Sequence, residues 1–164
     1  MSSAAGAALP SVLRFRLATP ADVPALAGLY AHCARELGPQ VYSAEQVLAW
    51  QGFAHDAPAF ADYVLQARTW MAEDAEGPLG FCGIDANGEV RSLYVRAAAM
   101  RKGLGSALLA QALASARQQG VAAFAAWATP FSLPVFTRAG FTLQRSVHEP
   151  FQGVMFERHR MALA

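Results

Sequence analysis

The segment from Leu93 to Leu109 reads LYVRAAAMRKGLGSALL and holds the residues best suited to chemistry. An alternating apolar stretch ends, glycines fall at 103 and 105, and a run rich in alanine and leucine begins. The first amides of a helix have no acceptor inside it, and they sit at the positive end of its dipole. A glycine turn leading into such an end lets the backbone approach an anion with no Cβ in the way. Arg101 and Lys102 add positive charge at the same rim. This chemistry suits a phosphate group. An isolated G-x-G also fits any sharp strand-to-helix corner, so the motif alone leaves both readings open.

The remaining chemistry-bearing residues point away from metals. Cys33 and Cys82 are the only cysteines, the four histidines (His32, His55, His148 and His159) are scattered, and neither CxxC nor HExxH occurs. No disulfide framework or metal site is expected. Cys82, in an apolar run, reads as a small buried residue rather than a nucleophile. Tyr30, Tyr42, Trp50 and Phe53 fall on or near the first two expected helices, where aromatics serve either a core or a binding wall.

The elements that must position these groups follow from periodicity and punctuation. Val12 to Leu17 alternates as a half-buried strand. Thr19-Pro20-Ala21-Asp22 opens a helix with an N-cap residue, an early proline and an early acid, and Gly38-Pro39 ends it. Ser43 to Gln46 is an S-x-x-Q capping box starting a second helix through Trp50, and a short helix follows around Pro58 to Gln66. TWMAED and LGFCGID read as strands joined at Glu76-Gly77-Pro78. Asn87-Gly88 is a hairpin signal, and EVRSLYV then alternates as far as Val95. The Leu104 helix carries Leu108, Leu109, Ala112, Leu113 and Ala116 on one face and ends at Gly120. VAAFAAWA, from 121 to 128, reads as a strand covered on both faces. A short helix from Ser132 to Ala139 follows, and FTLQRSV with VMFERHRMAL forms a closing hairpin. The sum is a mixed α/β sheet with helices on each side.

Composition limits the partners. With 54% hydrophobic and 15% charged residues, the chain has the balance of a folded domain. At 164 residues the expectation is one domain over 12–164, preceded by a flexible tail over 1–11. A net charge of +1 provides no basic footprint for nucleic acid or an anionic membrane. The longest apolar run, Val121 to Ala128, is far below the ~18 residues of a membrane span. The start of the chain lacks the basic and apolar regions of a secretory signal, so a cytoplasmic location is expected.

The Leu93–Leu109 segment resembles the coenzyme motif of the GNAT superfamily of N-acetyltransferases, Q/R-x-x-G-x-G/A after a strand ending LYV. VFTRAGF is similar to that superfamily's fYekxGF signature, RFRLATPADVPAL to its opening, and LGFCGI to one of its strands. YSAEQVLAW and GVMFERHRMAL are similar to segments of one bacterial branch. The resemblance implies a mixed, mostly antiparallel sheet with splayed central strands and helices on both faces. It also implies acetyl transfer from acetyl-CoA to an amine of a small molecule or peptide, without a metal. Homodimers are common in the superfamily, so a homodimer is an admissible assembly.

Carried over by position, the resemblance assigns coenzyme contacts to the main chain of Leu93, Tyr94 and Val95. The diphosphate falls to Arg101, Lys102, Gly103, Leu104, Gly105 and Ser106, with Ser132 and Phe136 flanking the coenzyme. Two positions depart from the pattern. Met100 stands where Gln or Arg is usual, and Phe136 stands where a tyrosine often protonates the departing thiolate. A degenerate acyl-CoA-binding module is therefore the alternative reading, and a purely structural glycine turn is a third. Tyr94, Ser132 or Thr129 could supply the missing proton. The acceptor amine must also lose one: with a pKa near 10.4, only about 1 part in 2,500 is neutral at pH 7, a cost of ~4.6 kcal/mol. Glu89 is the expected general base, sharing a face with Arg91, Leu93 and Val95; the competing reading is a hairpin-end residue paired with Arg91. Tyr30, Trp50 and His148 are the expected acceptor contacts, and Trp127 is expected to pack toward the coenzyme-side helix.

Overall fold

The computed structural model describes residues 13–164; the expected tail over 1–11 and the first residue of the expected Val12–Leu17 strand lie outside them. Strand β1 spans Arg14–Leu17 and a 3-10 turn at Pro20–Asp22 leads into α1, Val23–Leu37. Asp22 fixes this entry by accepting the Thr19 N–H at 2.7 Å and two bonds from the Arg16 guanidinium at 2.7 and 2.8 Å. Helix α2, Ala44–Gly52, begins at the expected capping box: Ser43 Oγ accepts the Gln46 N–H and Gln46 Oε1 accepts the Ser43 N–H. The Gln46 amide also donates to the Met155 carbonyl at 3.0 Å, tying this helix to the distant C-terminal hairpin. Asp56 caps α3, Ala57–Leu65.

The sheet follows with β2 (Arg68–Asp74), β3 (Gly77–Ile84) and β4 (Glu89–Val95). Then come α4 (Leu104–Gln118), β5 (Phe124–Ala128), α5 (Leu133–Arg138), β6 (Thr142–Phe151) and β7 (Val154–Leu163). Seven strands pair in the order β1-β2-β3-β4-β5-β7-β6. Every pair is antiparallel except β4 with β5, which meet in register only at Glu89–Ala125 and Val90–Ala126. Beyond Val90 the two strands separate, the splay the resemblance implies.

Alternation along the strands sends neighbours to opposite cores. Met71 and Phe81 pack with α1 and α3 on one face; Ala72 and Cys82 pack with α4 on the other. Three expectations need correction. Residues 121–123 are not strand: the Val121 N–H still closes α4 on the Ala116 carbonyl, and Ala122 and Ala123 are exposed. Nor is β5 covered on both faces, since Ala125 and Trp127 are only half-buried. Finally, β6 continues past Val147, the end of the expected strand, through Pro150 to Phe151, and the chain reverses at Gln152–Gly153. Among the described residues, no helix is long and apolar enough to cross a membrane.

Candidate active site

The gap left by the splay of β4 and β5 opens onto the N-terminus of α4. Gly103 caps that helix in the left-handed region at φ +79°, where a side chain is strained, and Arg101 before it has φ +61°. The turn leaves Arg101 and Lys102 exposed at the rim of the first amides of α4. Gly105 differs from Gly103. A Cβ built there would lie 3.6 Å from Val95 and 3.8 Å from Val135, ordinary contact that the fold would accept. Packing within the fold therefore does not require a glycine at this position. A small cavity of about 60 Å³ sits beside it, lined among others by Leu93, Val95, Met100, Gly105, Ser132 and Val135. Past Val90 the edge of β4 facing β5 has no strand partner, and the Val95 carbonyl there accepts the Cys33 thiol at 3.3 Å. Burial pushes that thiol up to about 12. Ser132 and Thr129 brace each other, Ser132 Oγ accepting the Thr129 N–H at 2.9 Å.

A larger cavity, about 540 Å³, lies on the α1–α2 side of the sheet. Trp50, Tyr94 and Thr129 line both cavities, so the two meet there. Its helical wall is aromatic: the Tyr30 ring lies 4.9 Å from Tyr94, 5.8 Å from Phe53 and 6.4 Å from Trp50. Its floor is polar. Arg160 of β7 donates to both oxygens of Glu89, at 2.6 and 2.9 Å. The Tyr94 phenol is held above its ordinary value chiefly by burial, partly opposed by the Tyr63, Tyr30 and Trp50 side chains, so it stays protonated at neutral pH. Glu89 reaches this cavity because of a β-bulge. Ile84 pairs with Val90 but Gly83 pairs with Ser92, so Arg91 is an extra residue that shifts the alternation by one. Val90 consequently shares the α4 core with Leu93 and Val95, and Glu89 falls on the Tyr94 side.

Residues 39–163 match the profile of a family described as an acetyltransferase (GNAT) domain, more than half the chain. The chain belongs to the GNAT acetyltransferase family. Its fold recurs in the GCN5-related N-acetyltransferase "Aminotransferase, Class-II" from Rhodopseudomonas palustris, at 22% identity and TM-score 0.87 over 96% of this chain and 98% of that one. It recurs in the PaiA N-acetyltransferase from Thermoplasma acidophilum, solved with coenzyme A, at 15% identity and TM-score 0.76 over 92% and 98%. A third example is YncA, a putative acetyltransferase from Salmonella typhimurium solved with acetyl-CoA, at 22% identity and TM-score 0.65 over 93% and 94%. Likeness at these identities concerns the fold. No curated protein matches the sequence.

Within this GNAT domain the expected residues separate into groups. Leu93, Tyr94, Val95, Gly105 and Ser132 come together at the smaller cavity, and Tyr30, Trp50, Glu89 and Tyr94 at the larger one. Met100 turns its half-buried side chain against the α1-side core, which accounts for an apolar residue at that position. Phe136 is only 2% exposed, set edge-on against Phe141 at 5.0 Å, and lines neither cavity. His148 is exposed on β6 and also lies outside both. Glu89 is paired with Arg160 rather than Arg91, which meets Asp85 instead at 3.5 Å, and Glu89 does not share the Leu93 face. Trp127 faces the larger cavity and not α4, because Phe124, Ala126 and Ala128 take the α4 side of β5. Sequence reasoning also passed over Arg158 and Arg160. Their signal was the i, i+2 spacing in FERHR, which places both on the face of Phe156.

Proposed function

We propose that this GNAT domain moves an acetyl group from acetyl-CoA to an amine of a small molecule or peptide by direct attack of the bound amine. The observation that carries this reading is the meeting of two cavities at Trp50, Tyr94 and Thr129, where β4 and β5 part. The residues present fit the coenzyme. The bare Gly105 beside the α4 amides suits a diphosphate, and the unpaired edge of β4 can take an extended arm as a substitute strand. Acetyl-CoA, when bound, supplies the activated acetyl group. Main-chain amides of the Leu93–Val95 edge then stabilise the negative charge growing on the thioester oxygen.

Glu89 takes the proton of the acceptor ammonium. Arg160 anchors its carboxylate, and each oxygen keeps a lone pair for a further hydrogen bond. Phe136 has no proton to give and is buried away from the cavities, so the donors proposed for the leaving thiolate are Tyr94 and Thr129, which line both. A thiolate with a cysteine-like pKa of about 8.5 needs a hydrogen bond more than full protonation near neutral pH. The test is acceptor-dependent thiol release across a panel of primary amines. Release confirms transfer. Saturable acetyl-CoA binding without release for any amine replaces it with the coenzyme-binding module that Met100 and Phe136 suggest.

A further inference from the structure

The floor of the larger cavity gathers positive charge on one indole. Arg158 and Arg160, which line the cavity, and Arg145, exposed on β6 beyond its lining, place their guanidinium carbons 4.9, 5.1 and 5.5 Å from the centroid of the Trp127 ring. Strand register produces the cluster: Arg160 is opposite Trp127 on β7, Arg145 is opposite Arg160 on β6, and Arg158 lies two residues along the same face. Three like charges around one ring repel, and the indole face offsets only part of this. Two carboxylates answer them. Glu89 engages Arg160 through both oxygens. Glu149 meets Arg158 through one bond of 3.1 Å, with side chains 43% and 38% exposed, a pair that water screens and readily opens. Arg145 meets no carboxylate among the described residues. Arg91, neutralised by Asp85, and the exposed Glu157, one negative charge outside the cluster, also border the cavity.

We propose that the acceptor is an aminocarboxylate with an apolar or aromatic side chain, its carboxylate docked on Arg158 with Arg145 reinforcing. This specificity rests on the acetyl-transfer reading above. The uncompensated charge of the cluster is a single positive one, which matches a monoanion, and a guanidinium fork fits a carboxylate edge. Tyr30, Tyr42, Trp50 and Phe53 on the opposite wall receive the side chain. In the transfer one ammonium proton passes through Glu89 to solvent, the neutral nitrogen bonds the acetyl carbon, the carbon–sulfur bond breaks with its electron pair on sulfur, and the second proton shed by the nitrogen ends on that thiolate as CoA thiol. The carboxylate is unchanged.

The test is calorimetric, on the whole protein saturated with CoA, comparing N-acetylphenylalanine with N-acetylphenethylamine, which lacks only the carboxylate. The carboxylate form should bind about tenfold tighter or more, and Arg158→Gln combined with Arg145→Gln should close that gap. CoA affinity, titrated in parallel, reports whether the variant is folded, and the wild-type comparison stands without it. Equal binding, preference for the uncharged probe, no binding of either, or a gap that survives the double substitution overturns the inference. Thiol release is read separately with phenylalanine and phenethylamine. Equal turnover of the two keeps transfer and removes the carboxylate site; selective binding of the carboxylate with no release keeps the site and removes transfer.

Discussion

Glu89 and Arg160 are 71 positions apart, yet their bidentate pair defines the polar corner of an otherwise aromatic cavity. If that carboxylate takes the amine proton, Glu89→Gln should lower kcat about 10²-fold while leaving acetyl-CoA affinity unchanged. The deficit should deepen below about pH 8, where the acceptor is more fully protonated. A pH profile parallel to wild type would reduce Glu89 to an anchor for Arg160. Phe136 calls for a different expectation. Its ring fills the core against Phe141, so Phe136→Tyr pushes a hydroxyl into an apolar cluster. That should cost about 1–3 kcal/mol in denaturant unfolding and bring no gain in rate. An increase in kcat would show that the hydroxyl reaches the thiolate after all.

Among the elements, the entry to α1 depends on charge. Arg16 holds Asp22 and Glu73 together, and its hydrogen bonds keep both carboxyls below the ordinary carboxylate range. A depressed carboxyl stabilises the fold above its unfolded value, near 3.9 for Asp, and that contribution is lost as pH falls toward the folded value. Asp22→Asn should therefore destabilise the protein at pH 7 and lose its difference from wild type in acid, as read by urea titrations at several pH values. At the start of α2, Ser43→Ala removes the bond to the Gln46 amide and should cost about 1 kcal/mol by the same measurement. Such elements were legible in the sequence because their signals are local. The capping box, the Asn87-Gly88 turn and the apolar stripe of α4 each lie within one contiguous stretch of chain. The Arg91 bulge was not. One inserted residue leaves a polar-apolar alternation looking intact while moving Glu89 to the other face. The start of β5 was lost for a similar reason, since apolarity cannot show that the Val121 amide is still committed to α4.

At the scale of the whole molecule, the site is made by what the sheet does not pair. The two register pairs between β4 and β5 place a gap in its centre, with a bare helix N-terminus on one side and an aromatic wall on the other. The glycine turn and its flanking strand could be read from sequence, because they are contiguous. The arginine floor could not, because it assembles from β5, β6 and β7 only once the C-terminal hairpin has docked. At the coenzyme end of this gap stands Gly105, whose bareness the fold itself does not require. The most direct measurement is a calorimetric titration of acetyl-CoA into the wild-type protein and into Gly105→Ala, whose added Cβ the fold accepts, with thermal unfolding of both as the control. The account predicts saturable micromolar binding by wild type, and loss of that binding in the variant with little change in unfolding temperature. Absence of binding by wild type at millimolar coenzyme, or equal binding by both proteins, would contradict it.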